Sequence, residues 1–248
     1  MAESGAVQSV TRSLDLLEAL ANADAPVGIA DLARTTGLAV PTAHRLVRTL
    51  QSRGYVQQSA DRAYRLGPAL MHLGNRATPG LVSRARSIMV ALEDVAMETV
   101  NLAVLDGDMV AYVGQVPSRH QMRMFTEVGR RVLPHSAGVG KAILSQLPES
   151  KVRDIVGRTG MPRFTPTTIT DPDALIADLR ESRRRGFAID DGEHEVGVRC
   201  IAVPVPGASP KAALSISGPS ARINDELAHT ITDALKAAAE KLGAVAFL

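Results

Sequence analysis

Apolar residues recur at helical spacing from the start of the chain. Val10, Leu14, Leu17 and Leu20 predict a helix from about Ser9 to Ala21, packed under the next two helices. Ile29, Leu32 and Ala33 form a shorter stripe, and Gly37-Leu38 makes a turn. Thr42 to Leu50 reads as a further helix with Leu46, Val47 and Leu50 inward, stopped by Gly54. Tyr55 to Gln58 and Ala63 to Leu66 then flank the polar turn Ser59 to Arg62, which predicts a hairpin. Helix, turn, helix and hairpin make a winged helix-turn-helix, whose second helix is shaped to enter a DNA major groove.

Beyond Leu66 the punctuation changes. Gly67-Pro68, Gly74 and Thr78-Pro79-Gly80 mark a linker, with a short helix from Ala69 to Arg76 and then a break. A long helix from Leu81 to Glu98 carries Ile88, Leu92, Val95 and Ala96 inward. Strands are expected at Val100 to Leu105 and Met109 to Val116, joined by the turn Asp106-Gly107-Asp108, with a further strand at Gln121 to Thr126. Ser136 can cap a helix through Leu147, and Glu149 to Arg158 is another helix. Asp171-Pro172-Asp173 starts a helix that ends in Arg183-Arg184-Arg185-Gly186, with cations in its last turn and a Gly stop. Val198 to Val205 and Ala212 to Ser217 are strands, and Asn224 caps a final helix to about Val245. Antiparallel strands interrupted by helices predict an α+β sensor domain of the GAF/PAS kind. The expected division is a winged helix-turn-helix at 6–67, a helical linker at 68–81 and an effector-binding domain at 82–248.

Charge sharpens the first part of this picture. The chain carries a net charge of only +2. Between Arg34 and Arg65, however, Arg34, Arg45, Arg48, Arg53, Arg62 and Arg65 are opposed by Asp61 alone. Arg45 and Arg48 stand at i and i+3 and share the outward helix face. A local basic stripe on a small helical module is the footprint of phosphate contact. Composition changes less. At 45% apolar and 22% charged, the 248 residues are those of an ordinary globular protein. A lone cysteine excludes an internal disulfide and fits a reducing, cytoplasmic setting. No signal peptide and no membrane span are expected.

The second part holds candidate chemistry. Ser215 and Ser217 share one strand face, with Leu214 and Ile216 on the other. Such hydroxyls are either satisfied by neighbours or await a ligand. Cys200 lies on another apolar strand, where a lone Cys is as a rule a small hydrophobe. Asp190 opens the acidic loop Asp190-Asp191-Gly192-Glu193. Ser136 to Gly140 leads into a helix whose free amides suit a small anion, or whose glycines serve close packing. It is not a P-loop, since Ala142 stands where Ser or Thr is required. No H-E-x-x-H, G-x-S-x-G or C-x-x-C occurs, and the six histidines are scattered without metal spacing. No metal, cofactor or catalytic set is therefore expected. An enzyme acting on a small acid is the alternative to a regulator.

Several motifs in order resemble the IclR family of bacterial transcription regulators. They include Gln8-Ser9-Val10, Asp31-Leu32-Ala33 with Gly37-Leu38, and Thr42-Ala43-His44-Arg45-Leu46. Tyr64-Arg65-Leu66-Gly67, Pro134-His135 with Gly138 to Ala142, and Arg185-Gly186-Phe187 continue the series. The run Asp190 to Ala202 and Ser215-Ile216-Ser217-Gly218-Pro219 complete the match over nearly the whole length. The resemblance implies a ligand-controlled repressor of a catabolic operon, working as a homodimer or dimer of dimers on a palindromic operator. Pro41, Thr42, His44, Arg45, Arg48, Arg62 and Tyr64 are the candidate DNA contacts. The family has Ser before Thr42 and often Lys before that, where this chain has Pro41 and Val40. Pro suits a first helical turn, so the helix survives while a contact from Ser or Lys is lost. The resemblance also implies an effector site at Met124, Gly138, Val139, Asp190, Cys200, Ser215 and Ser217, fit for a compact carboxylate or oxo acid. Thr99 to Ala103, Val113-Gly114-Gln115, Met122-Arg123-Met124 and Phe164 to Thr168 look like the branch that represses allantoin and glyoxylate catabolism, with glyoxylate as candidate effector.

Overall fold

The structure is a computed structural model and describes residues 7–77, 81–124 and 126–246. The chain divides into two compact units, Met1–Pro79 and Gly80–Leu248. Among the described residues no helix is long and apolar enough to cross a membrane.

The first unit runs α1 (Gln8–Ala21), α2 (Ile29–Thr35), α3 (Val40–Ser52), β1 (Val56–Gln58), β2 (Tyr64–Leu66) and α4 (Ala69–Ala77). Gly37 takes φ +66 between α2 and α3, a conformation that carries little penalty without a Cβ. The core is Leu16, Leu20, Leu32, Ala33, Ala43, Val47, Val56 and Tyr64. This corrects the reading of α1. Val10 and Leu14 are 56% and 52% exposed, and Leu16 and Leu20 do the packing. The expected stripe is thus split: Leu20 is in the core and Leu17 half-buried, while Val10 and Leu14 lie on an outer apolar face. In α3, Ala43 and Val47 are buried while Leu46 and Leu50 are only half-buried. Tyr64 is 3% exposed, and its backbone pairs in both directions with Val27. Its ring belongs to the core, so it is withdrawn from the candidate DNA contacts. The break expected at Thr78-Pro79-Gly80 lies outside the described residues.

The second unit runs α5 (Leu81–Ala96), β3 (Thr99–Asp106), β4 (Met109–Val116), β5 (Arg131–Val132) and α6 (Gly138–Leu144). It continues with α7 (Glu149–Thr159), α8 (Pro172–Arg185), β6 (Ala188–Asp191), β7 (Val198–Pro204), β8 (Ala212–Pro219) and α9 (Asp225–Ala246). The strands form one six-stranded sheet in the order β5-β4-β3-β8-β7-β6, antiparallel throughout. Val100, Leu102 and Val104 of β3 with Leu214 and Ile216 of β8 face the α5 and α9 side. Ala103 and Ala213 face the α6 side. The helix ends reflect local chemistry. Asp171 accepts from Ala174 N at 2.8 Å, Gly186 closes α8 at φ +81, and Asn224 accepts from Leu227 N at 2.9 Å.

Four expectations for this unit change. Val95 is exposed, and Ala85 and Met89 join Ile88, Leu92 and Ala96 inside. Ser136 does not cap α6; Ala137 does so without a side-chain bond. The described residues of 121–126 form no strand. Their carbonyls are taken by side chains instead, Met122 O by Arg222 and Met124 O by Thr99. Asp190, expected in a loop, lies in β6 and pairs with Cys200.

Gly140 sits where a Cβ would stand 2.3 Å from the Pro134 carbonyl oxygen. Gly157, in α7, has open space around it. Gly140→Ala is expected to destabilise the chain by about 1–3 kcal/mol or more through overpacking. Gly157→Ala should instead stabilise it by about 0.5–1 kcal/mol. Thermal denaturation of the two variants checks the contrast.

Candidate effector site and nucleic-acid interface

In the first unit, α3 turns a cationic face outward. Pro41, His44, Arg45 and Arg48 are exposed and Thr42 is half-buried. Arg34 is neutralised by Asp31, whereas Arg45 and Arg48 enter no ion pair among the described residues. Arg62 is exposed at the tip of the hairpin with φ +64. Beside it, the Ser59 hydroxyl bonds Asp61 and holds that carboxyl below its usual range. The face therefore offers free guanidinium groups, and the opposing acid is occupied locally.

In the second unit the sheet registers assemble a polar belt from residues far apart in sequence. Asp190 pairs with Cys200, Cys200 with Ser217, and Ser217 with Thr99. This row crosses four strands on the α6 side of the sheet. The next row on that face runs Ala202, Ser215, Asn101 and Gln115. Gln115 Nε2 donates to Asn101 Oδ1 and Asn101 Nδ2 donates to Ser217 Oγ, both at 3.4 Å. Ser215 is fully buried, and its hydroxyl finds no nitrogen or oxygen partner among the described residues. The Cys200 thiol, a weak partner, is within its reach.

Helix α6 lies directly on the belt. A Cβ at Gly138 would stand 2.7 Å from Cys200 Sγ. The amides of Gly138 and Val139 precede the first helical bond, from Lys141 N to Ala137 O. Val139's side chain is part of the core, so its amide alone is available to a ligand. Met124 is half-buried, and its carbonyl accepts from Thr99 Oγ1 at 3.0 Å, at the Ser217 end of the row. The structure thus brings Asp190, Cys200, Ser217, Ser215 and Gly138 together, with Met124 tied to the row's far end.

In the sequence Asn101, Gln115 and Thr99 stand out only within motifs that resemble one branch of the family; their place beside Ser217 needs the register. Lys141 was not singled out either. It is fully buried, with Nζ 2.5 Å from Glu193 Oε1 and 3.2 Å from Asp178 Oδ2. Asp190 Oδ1 accepts from the N–H of Glu193 at 2.7 Å and of His194 at 3.3 Å. Burial pushes Asp190 up to about 7, against the Glu193 N–H and the Lys141 charge. Burial also pushes Cys200 up to about 11 and raises Tyr112. The thiol is therefore no thiolate near neutrality. Ser136 Oγ lies 3.3 Å from His194 Nδ1. Asp190 binds the backbone of His194 and not its ring, so these residues do not form a nucleophilic triad.

Comparison with known proteins decides the family. Residues 9–60 match the IclR helix-turn-helix domain, and residues 77–244 match the bacterial transcriptional regulator IclR C-terminal domain. The chain belongs to the IclR family. It is 37% identical to the transcriptional repressor IclR of Escherichia coli K12 over 235 residues, 90% of this chain and 84% of that one. It is 33% identical to the E. coli K12 repressor AllR over 236 residues, 91% and 85% of the two chains. The crystal structure of the Thermotoga maritima IclR superposes with a TM-score of 0.81 at 26% identity, covering 97% of this chain and 99% of that one. An IclR homologue from Microbacterium hydrocarbonoxydans, crystallised with 4-hydroxybenzoate, gives a TM-score of 0.79 at 25% identity, with 95% and 98% covered. IclR relatives are transcriptional regulators, in keeping with a helix-turn-helix unit joined to an α+β unit.

The raised Asp190 has a measurable consequence for this IclR member. The folded chain holds that proton more tightly than the unfolded chain, where an Asp titrates near about 3.9. The stability it contributes is complete below about pH 3.9 and is lost as pH rises through about 7. Asp190→Asn keeps an acceptor for both N–H groups and removes the ionisation. Its melting temperature relative to wild type should climb between about pH 5 and pH 8, by on the order of 5 °C at the upper end.

Proposed function

We propose that this chain is a ligand-responsive repressor of a catabolic operon, with a small carboxylate or oxo acid as effector. The observation that carries the ligand reading is the fully buried Ser215 hydroxyl, without a nitrogen or oxygen partner among the described residues inside a polar belt. Buried polar groups are as a rule satisfied, so an orphan in a belt of hydroxyl, thiol and carboxyl groups marks a place a ligand completes. Ser215, Ser217, Cys200, Asp190, Met124 and the amides of Gly138 and Val139 are its contacts. The ligand of the Microbacterium homologue, 4-hydroxybenzoate, is itself a carboxylate. Glyoxylate is the first effector to test, because Thr99 to Ala103 and Met122 to Met124 resemble the AllR branch.

On the DNA side, Pro41, Thr42, His44, Arg45 and Arg48 meet the major groove, and Arg62 meets phosphate from the wing. One short helix reads too few bases for useful specificity, so the repressor works as a symmetric dimer, or a dimer of dimers, on a palindrome. An apolar groove of about 480 Å³ on the first unit supports this reading. Val10, Leu14 and Leu17 of α1, Leu46 and Leu50 of α3 and Leu73 of α4 line it. A second copy of the same face would bury what Val10 and Leu14 leave exposed.

The test is operator binding by gel shift on DNA selected by the protein, with and without small acids. Release by glyoxylate or a related acid is expected. A panel of acids that changes neither operator binding nor the melting temperature overturns the reading. Arg45→Ala and Arg48→Ala should each weaken operator binding by about 1–3 kcal/mol where the contact is to a base, and leave the ligand-induced melting shift intact. Arg62→Ala should lower the salt slope by about 1.

Ser217→Ala should reduce glyoxylate affinity by about 0.5–1.5 kcal/mol, and ligand-free operator binding should stay near wild type. Calorimetry and gel shift measure the two. An unaltered ligand response in both Ser215→Ala and Ser217→Ala would make those hydroxyls structural.

A further inference from the structure

Asp190 closes one end of the belt and is held from one side only. Its Oδ1 takes the Glu193 and His194 N–H groups, and its second oxygen makes no hydrogen bond among the described residues. Ser215, on the same sheet face, keeps a hydroxyl with no nitrogen or oxygen partner among the described residues.

The charges around Asp190 are unbalanced. Helix α6 contributes Lys141, whose ammonium is already claimed by Glu193 and, from α8, by Asp178. The residues after β6 contribute Glu193 and His194, β7 contributes the Cys200 thiol, and β4 contributes the Tyr112 hydroxyl. The charge of exposed Arg130 reaches Tyr112 and His194. One buried ammonium thus serves three carboxyl groups. A ligand carboxylate arriving on this face meets Asp190 and, among the described residues, gains no uncommitted buried cation. Two carboxylates in one desolvated neighbourhood do not both stay ionised, whereas one shared proton turns their repulsion into a charge-assisted hydrogen bond.

We propose that the effector carboxylate is bound together with one proton, which Asp190 holds and donates to a ligand oxygen. This rests on the carboxylate reading of the effector. No covalent bond changes: the proton comes from solvent and returns when the ligand leaves. The free site protonates near 7, so above that pH each binding event must draw its proton from the buffer. Affinity then falls about tenfold for each further pH unit.

Calorimetry on the full chain tests this, with sodium glyoxylate and 4-hydroxybenzoate as probes, at about pH 8 in buffers of different ionisation enthalpy. The expected heat varies linearly with buffer ionisation enthalpy, with a slope near one proton taken up. Affinity should be about fivefold weaker at pH 8 than at pH 7, and should approach about a tenfold fall per unit above that. In Asp190→Asn the slope should vanish and the pH profile flatten, while His194→Gln should keep the slope. Wild-type binding with no buffer dependence and a flat profile overturns the proton coupling alone, whether or not the Asn variant folds. A slope that survives in Asp190→Asn, or is lost in His194→Gln, moves the proton elsewhere and also overturns it. If neither acid binds or shifts the melting temperature between about pH 6 and pH 8, the carboxylate reading itself falls and the coupling falls with it.

Discussion

Lys141 is an ammonium taken out of water, and the arrangement around it is what makes that burial tolerable. An isolated buried charge costs several kcal/mol after relaxation, which partners must offset. Glu193 and Asp178 supply the partners, from the residues after β6 and from α8. Two segments are thereby fixed to one point on α6. The consequence runs on to the belt, because the backbone N–H of Glu193 is the donor that orients Asp190. Threonine hydroxyls pin the same stretch from outside. Thr165 donates to Gly192 O at 2.7 Å and Thr168 to Glu193 O at 2.6 Å. Asp190 is thus aimed by a turn that has little freedom to relax.

The sheet that carries the belt is covered on both faces, yet the two faces do different work. Toward α5 and α9 its centre is a continuous apolar core, with Arg199 at the margin bonded to Ile223 O and Asp225. Toward α6, alternate positions of β3, β7 and β8 are Thr, Asn, Cys and Ser, and their polar atoms are removed from bulk water. Such groups cost free energy unless paired. Asn101, Gln115 and Ser217 offset that cost among themselves, and Ser215 does not. A face that gives up packing energy for orphan donors and acceptors is what a small polar ligand requires.

Legibility from sequence tracked the range of the interactions. The winged helix was readable because each element is set locally, by helical periodicity, by Gly37 and by the polar turn before Tyr64. The β3–β4 hairpin was readable for the same reason. Strand β6 was not, since Ala188 to Asp191 becomes a strand only by pairing with β7. Residues 121–124 misled in the opposite sense, because the Met122 and Met124 carbonyls are satisfied by Arg222 and Thr99, from remote parts of the chain. In α1, one apolar count covered two faces, and periodicity alone could not say which of Leu14 and Leu16 lies inside. The belt obeyed the same rule. Ser215 and Ser217 share a face by strand alternation, whereas their company with Asn101 and Gln115 is a matter of register.

A ligand controls a regulator only if it binds two conformations with different affinity. Within the second unit, the stretch 117–124 has contacts suited to transmit such a difference. At one end Ser118 Oγ donates to Met97 O at 2.6 Å, and Arg119 pairs with Glu93 and Asp94 of α5. At the other end Met124 is tied to Thr99, which stands opposite Ser217 in the belt. Arg222, just after β8, holds both Glu98 and the Met122 carbonyl. Glu93 and Glu98 are both buried carboxyl groups whose ion pairs depend on this stretch keeping its place. The same stretch thereby ties the far end of the belt to the C-terminal end of α5. The chain enters the unit through that same helix.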